Sequence, residues 1–567
     1  MKSILRLSSA SVATLIVSTF AACATADTTG TWQSLSYSFP DSYGVTSGMN
    51  LLADGSILVQ STDTNLPVGS YPNKWWRLRP NTVGSYVSGN WGQPTWMISD
   101  RWFFSSQVLS DGRLYVAGGE YGGGSDDAEV YNPLTNIWTA LPAPGLNMRD
   151  ANSETLADGR VLQAMPDSST DEKQVAIFDP VTNTFAAGPA CLGSHRETSW
   201  VKLRDGSILM LDVNTTASER YIPELGEWVA DAKVPVELFD QNSEIGGAML
   251  LPDGRALVIG ATSTSAYYTP STTGVTGSMG SWVAGPVLPT GLDANGVMSA
   301  LGATDAPIAM LPNGNILMVL SPIGITGEEF RYPSYFFEFN TSTNTFTAIN
   351  APQGGTSDPT RYCYQWNMLC LPDGNVLVAA ARSQTLWVYQ PSGTALEAAK
   401  PTITGMTRDS SGVITLSGTQ FNGINVGACY GDDWQTNTNF PIVRLTNAAG
   451  NVTYCRTYEW STFDVQTGAD IVTTKVAVST SLASGAYSME LIANGIASDP
   501  WLYFIPSSAC QADRSLDGVI DGQDLSIILN GWGVVNQFTA RADLDGNGIV
   551  DGVDLSKILA AWGSCSP

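Results

Sequence analysis

Short apolar runs alternate with polar turns along residues 30–395, and one arrangement of them recurs seven times. An apolar residue is followed two positions later by Asp-Gly or Asn-Gly, and then by a run rich in leucine and β-branched residues. Asp-Gly and Asn-Gly between apolar runs predict tight β-hairpins, because such turns require positive φ angles. We therefore predict seven hairpins, with turn residues Asp54, Asp111, Asp158, Asp205, Asp253, Asn313 and Asp373.

A second polar turn with an aromatic outer strand follows the hairpin in several repeats, for example in 130–138 and 177–185. Four strands in each repeat of 47 to 60 residues are typical of propeller blades. The seventh repeat lacks its outer aromatic strand, and residues 30–35 have the pattern of that strand. The sequence thus predicts a seven-bladed β-propeller over 30–395, closed by the N-terminal strand so that no sheet edge stays free.

The chain after the propeller divides into two further modules. Short alternating strands over 396–505 predict an immunoglobulin-like β-sandwich. Residues 510–567 contain two acidic loops, each followed by a short helical pattern. We therefore expect a mainly β protein that ends in a small α-helical module.

The two acidic loops repeat with a period of 30 residues and carry oxygen side chains at loop positions 1, 3, 5, 9 and 12. Glycine at position 6 and a backbone carbonyl at position 7 complete the pattern of an EF-hand calcium loop. Eight aspartates against three Lys/Arg should make folding of this module depend on Ca²⁺. The predicted ligands of two Ca²⁺ ions are Asp513, Ser515, Asp517, Val519, Asp521 and Asp524 in loop 1, and Asp543, Asp545, Asn547, Ile549, Asp551 and Asp554 in loop 2.

Carboxylates precede four of the hairpin turns at nearly constant distance. Asp150, Glu197 and Asp305 lie eight residues before the turn residue, and Glu244 lies nine before. Equivalent positions of a propeller meet on one face, so these acids form a candidate site for a cation or a polyhydroxylated ligand. Two of them could serve as the acids of a glycosidase, which lie about 5–9 Å apart. Alternatively, each carboxylate caps a loop or pairs with a neighbouring arginine.

Net charge and histidine content exclude certain classes of partner and of metal site. The net charge is −25, which excludes nucleic acid and anionic membranes as expected partners. The single histidine, His195, excludes metal sites that need two imidazoles. We interpret His195 as a core or surface residue rather than as the partner of a nucleophile.

The first 26 residues have the features of an export signal: a basic start, an apolar stretch and a small-residue end. The mature protein is then soluble and secreted or on the cell surface, and lipid anchoring at Cys23 is the alternative. Export permits disulfides. We predict Cys510–Cys565 first and Cys429–Cys455 second; Cys191, Cys363 and Cys370 are interpreted as buried thiols, although Cys363 and Cys370 could pair.

These repeats resemble kelch repeats, with the best match in Gly118-Gly119 followed by 128–131, and the whole resembles the galactose oxidase superfamily. That resemblance implies copper held by two tyrosines and two histidines. Here Tyr364 matches a tyrosine and Gln365 stands where the following histidine belongs, so we expect no copper. The sandwich resembles the early-set domain that follows such propellers.

The C-terminal module resembles a type I dockerin, which implies attachment to a cohesin-like or other surface protein. It departs from that family at loop positions 10 and 11, which are Gly522-Gln523 and Gly552-Val553, and in its Trp-Gly helix ends. An intramolecular contact is the other possibility for its anchor.

We therefore expect an exported, monomeric, calcium-binding protein whose propeller binds carbohydrate or protein without catalysis. The rival hypothesis is a polysaccharide-degrading enzyme that uses Asp150, Glu197, Glu244 and Asp305. A structural surface component is the third. Extracellular polysaccharide is one of the expected ligands in the first hypothesis and the substrate in the second.

Overall fold

The computed structural model describes residues 29–62, 71–142, 144–149, 151–166, 172–430, 434–507 and 510–565. Over these residues it has 47 strands and two α-helices, so the prediction of a mainly β protein is confirmed. The expected signal segment 1–26, with Cys23, and the candidate Asp150 lie outside the described residues. Neither helix of the described chain is long and apolar enough to span a bilayer.

The propeller region begins with a strand that is far from its partner in sequence. Its first strands are β1 Thr31–Ser34, β2 Val45–Leu51, β3 Ile57–Ser61, β4 Lys74–Arg79, β5 Asn90–Trp91, β6 Thr95–Trp96, β7 Arg101–Trp102, β8 Ser105–Val108, β9 Leu114–Ala117, β10 Tyr121–Gly122, β11 Ala128–Asn132, β12 Ile137–Ala140, β13 Ser153–Thr155, β14 Val161–Met165, β15 Gln174–Asp179 and β16 Thr184–Ala187.

The remaining strands of this region follow the same four-strand order. They are β17 Trp200–Lys202, β18 Ile208–Leu211, β19 Ser218–Ile222, β20 Glu227–Ala230, β21 Ala248–Leu250, β22 Ala256–Ile259, β23 Ser265–Thr269, β24 Ser281–Ala284, β25 Thr290–Leu292, β26 Met298–Gly302, β27 Pro307–Met310, β28 Ile316–Pro322, β29 Tyr335–Asn340, β30 Thr345–Ile349, β31 Trp366–Cys370, β32 Val376–Ala380 and β33 Leu386–Gln390.

These strands form a β-propeller in which six antiparallel sheets stand apart as blades. Five blades have four strands and the blade of β2–β5 has a fifth, β6. Each predicted Asp-Gly or Asn-Gly turn joins the first two strands of its repeat, for example β8 to β9 and β31 to β32. Strands β27–β30 also pair in sequence, but they belong to a larger eight-stranded sheet.

The N-terminal strand completes the last repeat, as the sequence predicts. β1 pairs with β33, with Trp32 opposite Tyr389. The two rings pack with centroids 4.7 Å apart. The backbone N–H of Gly30 donates to the hydroxyl of Tyr389 at 2.9 Å and to Oε1 of Glu338 at 2.9 Å. Residues more than 350 apart are thus joined by both a ladder and buried polar contacts.

The next module contributes the remaining strands of the sheets. Its strands are β34 Thr402–Arg408, β35 Ile414–Thr419, β36 Gly427–Tyr430, β37 Trp434–Asn437, β38 Ile442–Asn447, β39 Val452–Tyr458, β40 Val472–Ala477, β41 Gly485–Ala493, β42 Ile496–Ala497 and β43 Trp501–Ile505. All of them except β36 and β37 pair with one another in the order β34-β35-β40-β39-β38-β41-β42, with β43 beside β41.

Strands β36 and β37 leave that module and fill the centre of the propeller. β36 pairs with β27, and the hairpin also packs on the first strands of other blades: β2, β8, β21 and β31. The side-chain amide of Asn437 donates to Gln107 Oε1 at 2.6 Å. The thiol of Cys429 donates to the carbonyl of Ala248 at 3.0 Å. Cys429 is therefore buried in the propeller, far from the sandwich strand that carries Cys455.

This position makes the predicted Cys429–Cys455 disulfide wrong, because both residues are free, buried thiols. Cys191, Cys363 and Cys370 are also free and buried, which confirms their interpretation as buried thiols and excludes a disulfide between Cys363 and Cys370. The Cys510–Cys565 disulfide is present as predicted.

The eight-stranded sheet of β34, β35 and β38–β43 lies on the propeller face that carries the Asp-Gly turns. The backbone N–H of Glu459 donates to the carbonyl of Ser110 at 2.7 Å, and Gln466 Nε2 donates to that of Leu251 at 2.7 Å. Gly55 in the first turn allows the ring of Tyr454 to approach to within 2.8 Å of where a Cβ would stand. Since the first strand of each blade ends at this turn, the starts of those strands lie on the opposite face.

The C-terminal module is built from two similar halves that pair with each other. Its elements are β44 Val519–Ile520, α1 Gly522–Asn530, β45 Gly533–Val534, β46 Ile549–Val550, α2 Gly552–Ala560 and β47 Gly563–Ser564. β44 pairs with β47 and β45 with β46, so each loop is closed by residues that follow the helix of the other half.

Candidate functional site

A pocket of about 670 Å³ opens on the propeller face opposite the sheet of β34, β35 and β38–β43. We call it the mouth pocket; it is lined by Tyr71, Trp102, Phe103, Glu120, Tyr121, Arg196, Glu197, Asn242, Glu244, Asp305, Glu329, Phe330 and Tyr364. Its size matches that of small-molecule sites, which are about 300–1,000 Å³.

The structure brings three of the four predicted carboxylates together in this pocket. Glu197, Glu244 and Asp305 all line it, as the argument from equivalent blade positions requires. Tyr364 is also part of the lining. Gln365, by contrast, does not line the mouth pocket: its Oε1 accepts the backbone N–H of Tyr362 at 3.1 Å.

A shared backbone conformation explains how side chains at the starts of different blades point to one place. Glu197 and Asp305 have φ angles of 53° and 48°, and Phe103 has 49°. Phe103 also lies eight residues before its turn residue, Asp111. Left-handed φ values are uncommon for such residues and cluster at functional sites. The count of eight therefore locates Phe103 as well as the acids, although the sequence argument considered carboxylates alone.

Burial and like charge make Glu244 the most perturbed acid of the pocket. Burial first, and then the charge of Glu197, raise its pKa from 4.5 to about 8, while a hydrogen bond with Asp305 acts in the opposite direction. Its Oε2 is buried and has no hydrogen-bond partner within the protein. At neutral pH Glu244 is thus a neutral carboxylic acid beside other carboxylates.

This pKa predicts a stability change in Glu244→Gln that depends on pH. A raised pKa in the folded protein stabilises it fully below about pH 4.5, and that stabilisation is lost as pH rises towards 8. The glutamine side chain is neutral at every pH, so the variant does not lose stability in this way as the pH rises. Differential scanning calorimetry should show equal melting temperatures near pH 4.5 and a higher one for the variant above pH 8. Glu227→Gln, at an exposed position of β20, is the control; a difference that does not change with pH would contradict the assignment.

The alternative interpretation, in which a carboxylate pairs with a neighbouring arginine, holds for one of these acids. Arg196 Nε lies 3.5 Å from Oε1 of Glu197, its neighbour in sequence. This pair is half exposed on the arginine side, so it contributes little stability, typically about 0–1 kcal/mol. It leaves an acidic excess in the pocket, where Glu120 and Glu329 add to the three predicted acids.

Aromatic rings form much of the wall, and apart from Tyr364 the sequence argument did not predict them. Trp102 stacks on Phe103 with centroids 5.0 Å apart, and Phe330 packs on Tyr364 at 4.5 Å. Tyr121, which is 42% exposed, packs near Phe103. Trp102 and Tyr121 lie opposite each other in the short strands β7 and β10, and Phe330 lies in the loop between β28 and β29. No repeat pattern marks these positions. Only Phe103 occupies a position that the repeat could have located.

The sole histidine lies outside the mouth pocket. His195 is fully buried, with its ring 5.3 Å from that of Trp200 and 5.1 Å from that of Trp228. Burial lowers its pKa to about 3, so the ring is neutral. The hydroxyl of Ser194 donates to Glu172 and not to the histidine. The interpretation of His195 as a core residue is confirmed.

The two acidic loops of the C-terminal module fold alike. Asp524 and Asp554, at position 12, are both fully buried. Asp524 accepts three backbone N–H groups of loop 1, and Asp554 accepts the three equivalent ones of loop 2. Asp513 and Asp543, at position 1, each accept two backbone N–H groups, from positions 4 and 6. The loops are thus held in the wrapped form that calcium loops adopt.

Loop 2 gathers its carboxylates most closely. Oxygens of Asp543, Asp545 and Asp554 all lie within 4.8 Å of one another. Burial, and then the charges of Asp554 and Asp545, raise the pKa of Asp543. Hard carboxylate oxygens at this spacing suit Ca²⁺. In loop 1, Asp513 lies beside the Cys510–Cys565 disulfide, whose bonded sulfurs are not available as ligands.

The remaining predicted ligands lie along the same loops. Asp521 and Asp551 at position 9 cap the N-termini of α1 and α2. Asp517 and Asn547 at position 5 accept the N–H groups of Val519 and Ile549. Ser515 is within 3.2 Å of Asp513.

Comparison with known proteins supports the fold. The kelch motif family matches residues 108–145. A solved structure described as a novel fungal alcohol oxidase of the AA5 family, in complex with copper, has 14% identity and a TM-score of 0.50, covering 84% of this chain and 99% of its own. A streptogramin B lyase (12% identity, TM-score 0.40) and a virginiamycin B lyase from Staphylococcus aureus (10%, 0.41) each cover 64% of this chain, with 98% and 99% of their own. No curated protein matches.

The chain therefore has a kelch-type, galactose oxidase-like β-propeller. The residues do not fit a copper centre of that superfamily. The only imidazole is enclosed between two tryptophans, and the carbonyl oxygen of Gln365 is bound by backbone. Beside Tyr364 the pocket offers carboxylates, which are hard ligands.

Proposed function

We propose that this protein is exported and monomeric, and that its propeller binds carbohydrate in the mouth pocket without catalysis. Its modules are a signal peptide over 1–26, a seven-bladed propeller over 30–395, an immunoglobulin-like sandwich over 396–505 and a dockerin-like module over 510–567 that binds two Ca²⁺ ions.

The pairing of β27–β30 supports the seventh blade. These four strands pair antiparallel in sequence, as the strands of the six separate blades do. The hairpin β36–β37 extends their sheet on its inner side. The sheet also contains β25 and β26, and apart from these and the hairpin its strands form a four-stranded unit with the same order as its neighbours.

The convergence of aromatic rings and carboxylates in one pocket carries the carbohydrate proposal. Sugars present apolar C–H faces and hydroxyl edges. Rings such as Trp102 and Tyr121 offer apolar surface with a polar edge, and carboxylates accept hydroxyl hydrogen bonds. The protonated acid Glu244 can donate as well.

Charge restricts the kind of carbohydrate. Five carboxylic acids line the mouth pocket, and Arg196 is the one basic side chain among the described lining residues. An acidic sugar would be repelled by this excess. We therefore propose a neutral or amine-bearing glycan.

The second candidate function is polysaccharide hydrolysis, which the raised pKa of Glu244 favours. A neutral acid beside an ionised carboxylate is the combination that glycosidases use. However, Glu244 and Asp305 are hydrogen-bonded to each other, which is closer than the about 5–9 Å of such pairs. Glu197 is then the remaining partner for Glu244.

Titration with a panel of neutral, amino and acidic oligosaccharides, combined with a reducing-end assay, tests both candidates. We expect binding of neutral or amino sugars without release of reducing ends. Turnover that Glu197→Gln abolishes would establish the hydrolase instead. Absence of binding across the panel would overturn the carbohydrate proposal.

The C-terminal module supports a role in attachment to a cohesin-like or other surface protein. Leu529 and Trp532 of the first half are 56% and 54% exposed, and Leu559 and Trp562 of the second are 54% and 50% exposed. They repeat at the 30-residue period, so the two halves present matching apolar surfaces. Large exposed apolar patches mark interaction sites.

A further inference from the structure

The two calcium loops have similar sequences but different surroundings. Position 4 is Leu516 in loop 1 and Gly546 in loop 2, both with left-handed φ angles, of 62° and 78°. Leu516 is 40% exposed. A Cβ on Gly546 would stand 2.6 Å from the Cβ of Arg408 in the sandwich. Loop 1 therefore faces outward at the position where loop 2 is pressed against another module.

Position 6 repeats this contrast. A Cβ on Gly518 of loop 1 would meet nothing within 4 Å, whereas one on Gly548 of loop 2 would lie 3.2 Å from Thr407. The backbone N–H of Arg408 donates to the carbonyl of Gly546 at 2.6 Å. Loop 2 thus lies along β34, and its glycines permit the close approach.

The rest of the interface is closely packed. The backbone N–H of Leu502 in β43 donates to the carbonyl of Gln537 at 2.9 Å. The guanidinium of Arg514 lies 5.4 Å from the ring centre of Phe504. Sandwich and C-terminal side chains share one apolar cluster, which includes Ile414, Tyr503 and Ala542. A void of only about 20 Å³ remains between the two surfaces.

We propose that loop 2 is a calcium-dependent latch that holds the C-terminal module on the sandwich through its positions 4 and 6, whereas loop 1 faces outward at those two positions and contacts the sandwich through Arg514 at position 2. This inference rests on the proposed calcium binding. Asp543, Asp545 and Asp554 would hold the Ca²⁺ ion, and their ligation would fix the backbone of 544–548, the segment that contacts β34. Coupling is reciprocal, so docking should also tighten calcium at loop 2.

The same coupling would set the orientation of the C-terminal module relative to the propeller. While loop 2 holds calcium, the exposed apolar faces of α1 and α2 keep one orientation relative to the propeller. If loop 2 alone lost its calcium, the C-terminal module would detach from the sandwich and stay attached only through the chain from residue 506 onward. The disulfide would still close the module.

The test is hydrogen exchange of the full-length protein, followed by mass spectrometry, with Ca²⁺ and with a chelator. We expect peptides covering 402–409 and 499–505 to be protected with Ca²⁺ and to exchange at least about tenfold faster without it, within the range of typical couplings. Gly546→Leu gives loop 2 the residue that loop 1 already carries and should produce the faster exchange even with Ca²⁺. It should also weaken one of two calcium sites about tenfold in calorimetry.

Matched variants separate docking from loop strain. Leu516→Gly, the reverse change in loop 1, should leave both peptides protected. Thr407→Trp blocks the same contact from the sandwich side without touching the loop, and Thr402→Trp, exposed on the same strand, is its control. If Thr407→Trp leaves calcium affinity and protection unchanged, the latch is wrong.

The outcomes distinguish the two levels of the proposal. Equilibrium dialysis that finds no bound Ca²⁺ overturns the proposed calcium binding and the latch together. Two bound ions with peptides 402–409 and 499–505 still protected after chelation overturn the latch alone and leave calcium binding intact.

Discussion

Removal of calcium will unfold most of the C-terminal module while the propeller stays folded. Without the ions, buried carboxylates such as Asp524 and Asp554 repel their neighbours. This repulsion is resisted by two nine-residue helices, the Cys510–Cys565 disulfide and the apolar cluster shared with the sandwich. At a free calcium concentration 1,000 times the Kd, each site stabilises the folded form by about 4 kcal/mol. Calorimetry should therefore show a low-temperature transition that appears on chelation, and trypsin should then cleave after Arg541 and Lys557.

Single substitutions should divide this effect between the loops. Asp524→Ala or Asp554→Ala removes a carboxylate that organises three backbone N–H groups, and we expect one calcium site to be lost in each. Asp470→Ala, at an exposed position of the sandwich, is the control and should bind two ions. A chelated protein that melts like the calcium-bound one would show that the loops are held by their backbone contacts alone.

Loss of one aromatic wall will remove most of the ligand affinity of the mouth pocket. Trp102→Ala deletes the ring that stacks on Phe103, and truncation of a central aromatic residue at a binding site costs about 2 kcal/mol or more. That corresponds to an affinity at least about 30-fold weaker for the best sugar of the panel, measured by calorimetry. The acids remain, so the pH dependence of binding should persist.

Trp96→Ala is the matched control, because Trp96 is 41% exposed and does not line the mouth pocket. It should bind as the unchanged protein does. Equal affinities of the two variants would place the ligand elsewhere on the propeller.

Local turn chemistry carried most of the fold prediction. The Asp-Gly and Asn-Gly turns fix where each blade begins, and the pattern around Trp32 identified the strand that completes the last repeat. The same periodicity located Glu197, Glu244 and Asp305, because equivalent positions in repeated blades meet on one face.

Long-range placement was not accessible in the same way. Nothing local in 427–437 shows that these strands leave their own module for the propeller centre, and the wrong pairing of Cys429 with Cys455 follows from that. Much of the aromatic wall of the mouth pocket was missed for a related reason: Trp102 lies in the short strand β7 and Phe330 in the loop between β28 and β29, and neither segment follows the repeat period. Contacts of this kind depend on the whole ring being assembled.

The hairpin β36–β37 closes the central channel of the propeller. Since it packs on strands from both halves of the ring, a polymer chain cannot thread from one side of the propeller to the other. A long glycan that binds in the mouth pocket as proposed would have to offer a terminus, a branch or a short kinked stretch, and it would have to leave by the route through which it entered. At equal concentrations of chain ends, short oligosaccharides and long polymers should therefore compete equally well for the mouth pocket.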